Sequence, residues 1–312
     1  MTAKPKVLDL FAGCGGFSLG FERAGYEIAA FVEWWDPAIQ TFQRNHPNAV
    51  LLGRDITKIS DEKACAYHNA IDVLIGGPPC QGFSLCGKRN PKDKRNKLYK
   101  EFLRFVEIVN PRIVIMENVP GLLTVKNENG ENVFSLILKD LIKRGYSVSY
   151  SVLTASEYGV PQERKRLIII GRRLSLFPPP TRYGSTVMQA IGDLPNRVLP
   201  INGHQFFETT PQLLDKIRTL KQGERLSSTF NFSRQRLHAD KRSKTITTKS
   251  MYIHPFYDRF LTPRELARLQ SFPDSFNFCG TKTAMVKQIG NAVPPLLAQA
   301  LAEHLKKEVI FQ

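Results

Sequence analysis

The chain has 312 residues, with 44 Lys and Arg against 28 Asp and Glu, so its formal net charge at pH 7 is +16. It contains no run of 18 apolar residues, which argues against a membrane-spanning helix, and its N-terminus shows no signal-peptide pattern. Five cysteines without CxxC spacing argue against a disulfide framework or a zinc site and favour a reducing compartment. We therefore expect a cytoplasmic protein that holds no metal.

Short apolar segments alternate with helical patterns through the first half of the chain. The pattern predicts strands at residues 7–11, 28–32, 50–52, 71–75, 112–116, 146–153 and 167–171. Helices are predicted at residues 17–24, 37–45, 98–109 and 133–144. This alternation predicts an α/β fold in which helices cover both faces of a mostly parallel sheet.

The composition changes after residue 173. Residues 177–235 are rich in Pro, Thr, Ser and Asn and have few long apolar periods, which predicts a smaller, loop-rich lobe. Helical signals return with a capping box from Thr262 to Glu265 and with a last helix at 294–307. The composition therefore separates a first body, up to about residue 175, from a loop-rich lobe that follows it.

A glycine-rich turn at residues 11–16 follows the first predicted strand, where a ligand can approach the backbone closely. Two more strand ends carry Glu33, which could hold a ribose hydroxyl pair, and Asp55, which could accept from an adenine amine. Trp34 could cover the adenine face. The dinucleotide pattern G-x-G-x-x-G fails at Ser18, so an adenosine ligand without a pyrophosphate fits better. For each acid alone, a solvated carboxylate is as good an interpretation.

A second turn, at residues 76–84, follows the fourth predicted strand and contains Cys80. Two glycines permit a sharp turn, and two prolines then fix the backbone and remove two donors. A free cysteine is most often inert packing. The rigid presentation of one thiol instead indicates nucleophilic chemistry.

Positive charge is concentrated in two windows. Residues 84–104 hold eight Lys and Arg against two acids, and residues 216–249 hold ten against two. One such run alone would indicate a solvated face. Two of them, which carry 14 of the 16 net charges, favour a polyanionic partner such as nucleic acid.

In its ordered motifs the chain resembles the DNA cytosine-5 methyltransferases, type II modification enzymes in particular. The motifs that carry the resemblance are residues 9–18, Glu33, Asp55, 78–84, 117–119, 162–166, 264–273 and 288–294. The resemblance implies a Rossmann-like, S-adenosylmethionine-dependent methyltransferase fold. It also implies a discontinuous catalytic and cofactor-binding domain at 1–175 and 284–312, with a target-recognition domain and hinge at 176–283. It implies a cofactor site formed by Phe11, Ala12, Gly13, Cys14, Gly15, Gly16, Glu33, Trp34, Asp55, Ile56, Pro79, Leu98, Asn291 and Ala292.

The resemblance also implies how the reaction is carried out. Carbon 5 of cytosine is a poor nucleophile until a thiolate, here Cys80, adds to carbon 6. Glu117 would act at ring nitrogen 3, while Arg164 and Arg166, which alternate on one strand face, would hold the cytosine carbonyl oxygen and the glutamate. The target base must be flipped out of the duplex. A mobile, DNA-binding loop would then supply Gln81, Ser84, Cys86, Lys88 and Arg89.

One residue of this loop departs from the family pattern. The family usually has a small polar residue where Cys86 stands, so the role of this thiol is open. The resemblance further implies double-stranded DNA as substrate, a monomer, and a restriction endonuclease encoded nearby that forms no stable complex with the enzyme.

Three other functions compete with this one. A zinc nucleobase deaminase needs His-x-Glu and Pro-Cys-x-x-Cys, but no His-x-Glu occurs and position 83 is Phe. A tRNA cytosine-5 methyltransferase of the same family is the main alternative, although Gly82, Phe83 and Ser84 favour DNA. A non-catalytic DNA-binding protein would explain the charge, but not Cys80, Glu117 and the cofactor-like strand ends together.

Overall fold

A computed structural model of the chain describes residues 3–79, 98–172, 177–181, 183–227 and 234–309, and the strands in these ranges form one seven-stranded sheet. The sheet has the order β3-β2-β1-β4-β5-β7-β6. The strands are β1 Lys6–Leu10, β2 Glu27–Val32, β3 Val50–Gly53, β4 Val73–Gly76, β5 Ile113–Asn118, β6 Ser147–Thr154 and β7 Lys165–Arg172. All neighbours pair in parallel except β7, which is antiparallel to both β5 and β6.

Helices cover both faces of this sheet, and two apolar core clusters lie between them and the strands. In the described ranges the helices are α1 Gly16–Arg23, α2 Asp36–Asn45, α3 Asp61–Cys65, α4 Leu98–Val109, α5 Val133–Lys143, α6 Val187–Ile191, α7 Pro211–Arg218, α8 Pro263–Leu269, α9 Lys282–Asn291 and α10 Pro295–Val309. The predicted α/β class with a mostly parallel sheet is confirmed. The short helices α6 and α7 lie in the segment for which the sequence predicts a loop-rich lobe.

The last helix returns to the start of the chain. Helix α10 packs against α1 so closely that a Cβ on Gly20 would lie 2.3 Å from the Cβ of Ala298. The backbone before α10 lies against the glycine turn, since a Cβ on Gly16 would lie 2.5 Å from the carbonyl oxygen of Val293. The C-terminal residues therefore form one body with β1 and α1. The division into two domains stays a prediction, and its boundary at residue 284 falls inside α9.

A third apolar cluster joins α8 and α9 to α6 and to Cys14 of the glycine turn. Helix α8 begins with the predicted capping box: Thr262 Oγ1 accepts from the Glu265 amide at 3.2 Å, and Glu265 Oε2 accepts from the Thr262 amide at 2.7 Å. Arg259 donates to both carboxylate oxygens of Glu265, at 2.9 and 2.7 Å. This cluster links the second half of the chain to the edge of the sheet where the candidate site lies.

Candidate active site

The order of the strands reverses between β1 and β4, and ligands of open α/β sheets bind outside the carboxyl ends of the strands at such a reversal. The glycine turn follows β1 and the Gly-Gly-Pro-Pro turn follows β4, and Leu10 pairs with Gly76 where these two strands end. The two turns that the sequence singled out are therefore neighbours at the switch point.

Glu33, at the end of β2, is held by backbone amides of two segments. Its Oε2 accepts from the Gly13 amide at 2.9 Å, and its Oε1 accepts from the Trp35 amide at 2.9 Å. Burial raises the pKa of this carboxyl, although the amide hydrogen bonds and Lys287 oppose the shift. Each oxygen keeps a further lone pair, so Glu33 joins β2 to the glycine turn and can still accept from ligand hydroxyls.

The glycine turn adopts a backbone that few side chains tolerate. Gly13 and Gly15 have φ values of 57° and 92°, and a Cβ on Gly15 would lie 2.5 Å from His46 Nε2. Cys14 points away from the turn: its thiol is buried and donates to the Gln288 carbonyl at 3.8 Å. Burial raises the pKa of that thiol to about 12, so Cys14 is a packing residue and not a nucleophile at neutral pH.

Asp9 is a further acidic residue of this region, and no role for it is predicted from the sequence, although an acid within an apolar strand is unusual. Asp9 is fully buried beneath the turn and accepts from Ser18 Oγ at 2.7 Å. Burial raises the pKa of Asp9 to about 7, and the nearby carboxylate of Glu33 adds to this shift. The carboxyl groups of Asp9 and Glu33 therefore both lie beside the glycine turn, and the charge of Glu33 influences the pKa of Asp9.

The remaining cofactor candidates surround the same edge. Trp34 exposes 68% of its surface, and Lys287 of α9 places its Nζ 6.0 Å from the Trp34 ring centre and 4.1 Å from that of Trp35. Asp55 is exposed at the end of β3 and accepts from the amide and hydroxyl of Thr57 at 3.1 and 2.7 Å. Those hydrogen bonds lower the pKa of Asp55, so it stays ionised and can accept from an amine.

Some of the other candidates contribute packing. Phe11 is partly buried with φ 61°, Ile56 is buried, Pro79 is partly buried after β4, and Leu98 is partly buried at the start of α4. Asn291 is exposed at the end of α9, and the Ala292 side chain would contact a Cβ on Gly16 at 3.1 Å. Ala12 donates its amide to the Val32 carbonyl at 3.0 Å and thereby joins the turn to β2.

Glu117, near the end of β5, forms the most buried charge pair at this edge of the sheet among the described residues. Arg166 of β7 places its Nε 2.6 Å from Glu117 Oε1, and the two side chains are only 11% and 12% exposed. The antiparallel β7 makes this contact possible because it brings Arg166 beside the end of β5. Burial lowers the pKa of Arg166, while Glu117 opposes that shift.

The Gly-Gly-Pro-Pro turn lies directly against Glu117. A Cβ on Gly77 would lie 2.9 Å from Glu117 Oε2. Asn118 Nδ2 donates to the Pro78 carbonyl at 3.0 Å and fixes the turn beside the end of β5. Cys80, the predicted nucleophile, follows two residues after Pro78 and lies outside the described residues, as do Gln81, Ser84, Cys86, Lys88 and Arg89.

Arg164 has a different environment from Arg166. It precedes β7 and is fully buried, and its guanidinium donates to the carbonyl oxygens of Ile246 at 2.8 Å, Gly290 at 3.0 Å and Ala292 at 3.1 Å. These hydrogen bonds join the start of β7 to the segment at Ile246, before α8, and to the C-terminal end of α9. A direct role for Arg164 at the cytosine stays a prediction, and its contacts give it a structural one.

Two glutamines, which the sequence did not single out as site residues, reinforce that junction. Gln162 Oε1 accepts from the Ile246 amide at 2.9 Å, and Gln162 Nε2 donates to the side chain of Gln270. Gln270 Nε2 donates in turn to the Ala292 carbonyl at 2.8 Å. The predicted motifs at 162–166, 264–273 and 288–294 therefore meet in one buried hydrogen-bond network.

The donor groups at the edge of the sheet fit S-adenosylmethionine. Two carboxylates at neighbouring strand ends suit ribose hydroxyls and an adenine amine, and an exposed indole ring suits the adenine face. No group of three His, Cys, Asp or Glu side chains in the described part of the chain is arranged to hold a metal ion. No helix among the same residues is long and apolar enough to cross a membrane.

Comparison with known proteins decides the family. The family model of the C-5 cytosine-specific DNA methylases matches residues 5–307. This chain belongs to that family. It is therefore a methyltransferase that acts on carbon 5 of cytosine in DNA and uses S-adenosylmethionine as its methyl donor.

Individual relatives match along nearly the whole chain. The type II methyltransferase M1.HphI of Haemophilus parahaemolyticus is 41% identical over 96% of this chain and 86% of its own length. M.DdeI of Desulfomicrobium norvegicum is 36% identical over 96% of this chain and 88% of its own length. A solved DNA modification methyltransferase encoded within a prophage (E. coli) has a TM-score of 0.83 and 28% identity, and covers 98% of this chain and 100% of its own.

Proposed function

We propose that this enzyme methylates cytosine in a specific sequence of double-stranded DNA through a covalent adduct at Cys80. The observation that carries this proposal is the Gly77–Pro79 turn, which is held against the Glu117–Arg166 pair. A base that enters beside this turn would have the Glu117 carboxyl and the Arg166 guanidinium on one side. Cys80 is the next residue in the sequence after this turn.

The roles of the residues follow from the chemistry of cytosine. The Cys80 thiolate adds to carbon 6, and the electron pair of the 5,6 double bond makes carbon 5 nucleophilic. The Glu117 carboxyl hydrogen-bonds ring nitrogen 3, where negative charge develops during this addition. Arg166 holds Glu117 in place and lies within reach of the cytosine carbonyl oxygen. Carbon 5 would then take the methyl group of the donor's sulfonium, which leaves as the neutral thioether of S-adenosylhomocysteine. Loss of the carbon 5 proton to solvent and departure of the Cys80 thiolate then restore the aromatic ring.

The cofactor site would be formed by Glu33 and the glycine turn, with Asp55 and Trp34 at the adenine. S-adenosylmethionine supplies an electrophilic methyl group on a sulfonium. Glu33 orients the ribose by accepting from its hydroxyls, and the positive-φ glycines let the ligand approach the backbone. The predicted loop after Cys80 would close on DNA phosphates and exclude water.

The biological role we propose is protection of DNA within a restriction–modification system, which the type II names of the relatives support. A partner endonuclease would then recognise the same sequence without binding the methyltransferase. We further propose that the enzyme acts as a monomer in the cytoplasm. Residues 176–283 would carry sequence recognition.

The Cys80→Ser variant tests the mechanism. We expect it to lose transfer of labelled methyl groups from S-adenosylmethionine to duplex DNA, since a serine hydroxyl is not ionised near neutral pH and is a far weaker nucleophile than a thiolate. Cofactor binding should stay within about twofold of the wild type. Cys65→Ser is the matched control, because Cys65 is exposed at the end of α3. Full activity of Cys80→Ser would overturn the mechanism.

Bisulfite mapping of the methylated DNA identifies the target sequence and confirms carbon 5 as the product position. The same assay with tRNA tests the main alternative. Transfer to tRNA but not to duplex DNA would contradict the proposed substrate.

A further inference from the structure

A basic groove lies beside the start of β7. It has a volume of about 590 Å³, and its floor includes the buried side chains of Gln235 and Leu237. Four cationic side chains line it against two acidic ones: Arg225, Lys241, Arg242 and Lys244 against Glu163 and Asp240. The groove is large enough for a phosphodiester group with its flanking sugars, and its lining has an excess of positive charge.

Backbone hydrogen bonds fix the walls of the groove. The Glu163 amide donates to the Ser243 carbonyl at 2.9 Å, and the Ser243 amide donates to the Pro161 carbonyl at 3.0 Å. On the other side, the Val187 amide at the start of α6 donates to the Lys241 carbonyl at 2.9 Å. The segment that carries Lys241, Arg242 and Lys244 is therefore held in place before any ligand binds, which lowers the cost of ordering it on binding.

Arg242 is the most constrained of the groove cations whose contacts are described. Its Nε donates to the Gly184 carbonyl at 3.1 Å, and its guanidinium lies 5.3 Å from the centre of the Tyr183 ring. One terminal nitrogen donates to Glu163 Oε1 at 3.1 Å, and the two paired side chains are 34% and 45% exposed. An ion pair exposed to this extent is weak. A phosphate has the geometry and charge to replace Glu163 as the hydrogen-bond partner of the planar Arg242 guanidinium.

The groove is close to the reacting residues. Glu163 lies three residues before Arg166, which pairs with Glu117. An extended chain rises about 3.3 Å per residue, so the backbone of Glu163, at one wall of the groove, lies at most about 10 Å from that of Arg166. The backbone of one DNA strand advances by about 3.4 Å per base pair along the helix axis, so this separation corresponds to about three steps.

We propose that this groove binds a backbone phosphate of the DNA within about three nucleotides of the flipped cytosine, and that Arg242 exchanges Glu163 for that phosphate. The proposal rests on duplex DNA as the substrate. It adds a defined phosphate site to the proposed function and gives Glu163 the role of a competing anion, which keeps Arg242 oriented when DNA is absent.

Salt-dependent DNA binding tests the site. The dissociation constant of a fluorescein-labelled 30-base-pair duplex is measured by anisotropy over a series of NaCl concentrations, for the wild type and for Lys241→Gln/Lys244→Gln. Each lost phosphate contact reduces the slope of log K against log salt by about 0.9, so we expect a reduction of about 1 to 2 and weaker binding. Both side chains are exposed, so the folded state is expected to persist.

The matched control is Lys139→Gln/Lys143→Gln, which removes the same charge from exposed positions on α5 outside the groove. It should leave the salt slope nearly unchanged. Equal slopes and affinities for the two double variants would overturn the proposal.

Glu163→Gln tests the exchange itself. Removing the competing carboxylate should tighten DNA binding several-fold and steepen the salt dependence, since Arg242 is then released to the phosphate. Weaker binding by Glu163→Gln, in a variant that unfolds at the wild-type temperature, would contradict the exchange.

Two further readouts separate the sources of phosphate and the two proposals. Neutral methylphosphonate links placed one at a time around the mapped cytosine should weaken wild-type binding at one position within the expected three steps, and should have little effect at that position on Lys241→Gln/Lys244→Gln. Stabilisation by millimolar pyrophosphate without any such position would show a site for free phosphates instead. If the wild type methylates DNA but Lys241→Gln/Lys244→Gln does not change the salt slope, only the proposed phosphate site is overturned. If the wild type does not methylate DNA, the proposed function itself is overturned.

Discussion

The carboxyl groups at the two ends of the active edge have different partners. At the cofactor end, Glu33 accepts from two backbone amides and Asp9 accepts from a hydroxyl, and burial raises the pKa of both groups. At the cytosine end, Glu117 contacts the guanidinium of Arg166. Neutral donors suit the binding of a ligand through its hydroxyls, whereas an adjacent cation suits a site where charge develops during a reaction. In the proposed function, carboxyl groups at strand ends would thus bind the cofactor at one end of this edge and take part in the reaction at the other.

The largest expected effect comes from Glu117→Gln. The variant keeps the size of the side chain and can still hydrogen-bond, but it loses the ionisable carboxyl and the ion pair with Arg166. We expect kcat to fall by about 10²- to 10⁴-fold, with dissociation constants for cofactor and DNA within about threefold of the wild type. Single-turnover methyl transfer and equilibrium binding measure the two quantities.

Glu128→Gln is the control for this change, since Glu128 is exposed in the loop before α5. If Glu117→Gln retained more than a tenth of the wild-type kcat, or if its loss were mainly in cofactor affinity, the division between a binding end and a reacting end would be wrong.

The next effect is on stability and involves Asp9. Its pKa in the folded state is about 7, above the value of 3.8 for an unburied aspartate. Between these values the folded state binds more protons than the unfolded state, so the free energy of unfolding falls as pH rises from about 4 to about 7. At about 1.4 kcal/mol per pKa unit, the total is at most ~4 kcal/mol.

Asp9→Asn removes this titration while keeping an oxygen that can accept from Ser18. Urea unfolding at pH 5, 6, 7 and 8 should show a smaller decrease in the free energy of unfolding for the variant than for the wild type. Parallel pH profiles for the two proteins would mean that Asp9 is ionised throughout, and that the cofactor end is not built on a neutral carboxyl.

The sequence predicted the parts of the site that depend on local order along the chain. The strand ends with Glu33 and Asp55 and the two glycine turns follow from alternating apolar and helical patterns, and the capping box at Thr262 was visible as a motif. The resemblance predicts that Arg164 and Arg166 hold the cytosine carbonyl oxygen and Glu117, but it does not say which of the two contacts the glutamate. Their spacing puts both on one strand face, but which of them meets Glu117 depends on the antiparallel insertion of β7 beside β5 and on the segments that cover Arg164.

The contact of Lys287 with the two tryptophans could not be predicted from the sequence, because it depends on long-range packing. Lys287 belongs to α9, more than 250 residues after the indoles that it contacts, and no local pattern connects them. Its ammonium lies over Trp35 and near Trp34, and its charge counteracts the effect of burial on the pKa of Glu33. Lys287 is therefore the counterpart of Arg166 at the cofactor end. It acts on Glu33 from a longer range than Arg166 acts on Glu117, and its close contacts are with aromatic rings.

Lys287→Met measures how much this cation contributes. A cation–π contact at an exposed site is worth about 0.5–1 kcal/mol, so we expect the dissociation constant of S-adenosylmethionine to rise about two- to fivefold with little change in kcat. Trp34 and Trp35 are the only two tryptophans of the chain, so tryptophan emission reports on this place alone and should change in the variant even without ligand. Lys282→Met on the same helix is the control, since Lys282 Nζ donates to the Phe206 carbonyl. If Lys287→Met left both the emission spectrum and the cofactor affinity unchanged, Lys287 would contribute nothing to cofactor binding. The cofactor end would then differ from the cytosine end in needing no cation beside its carboxyl groups.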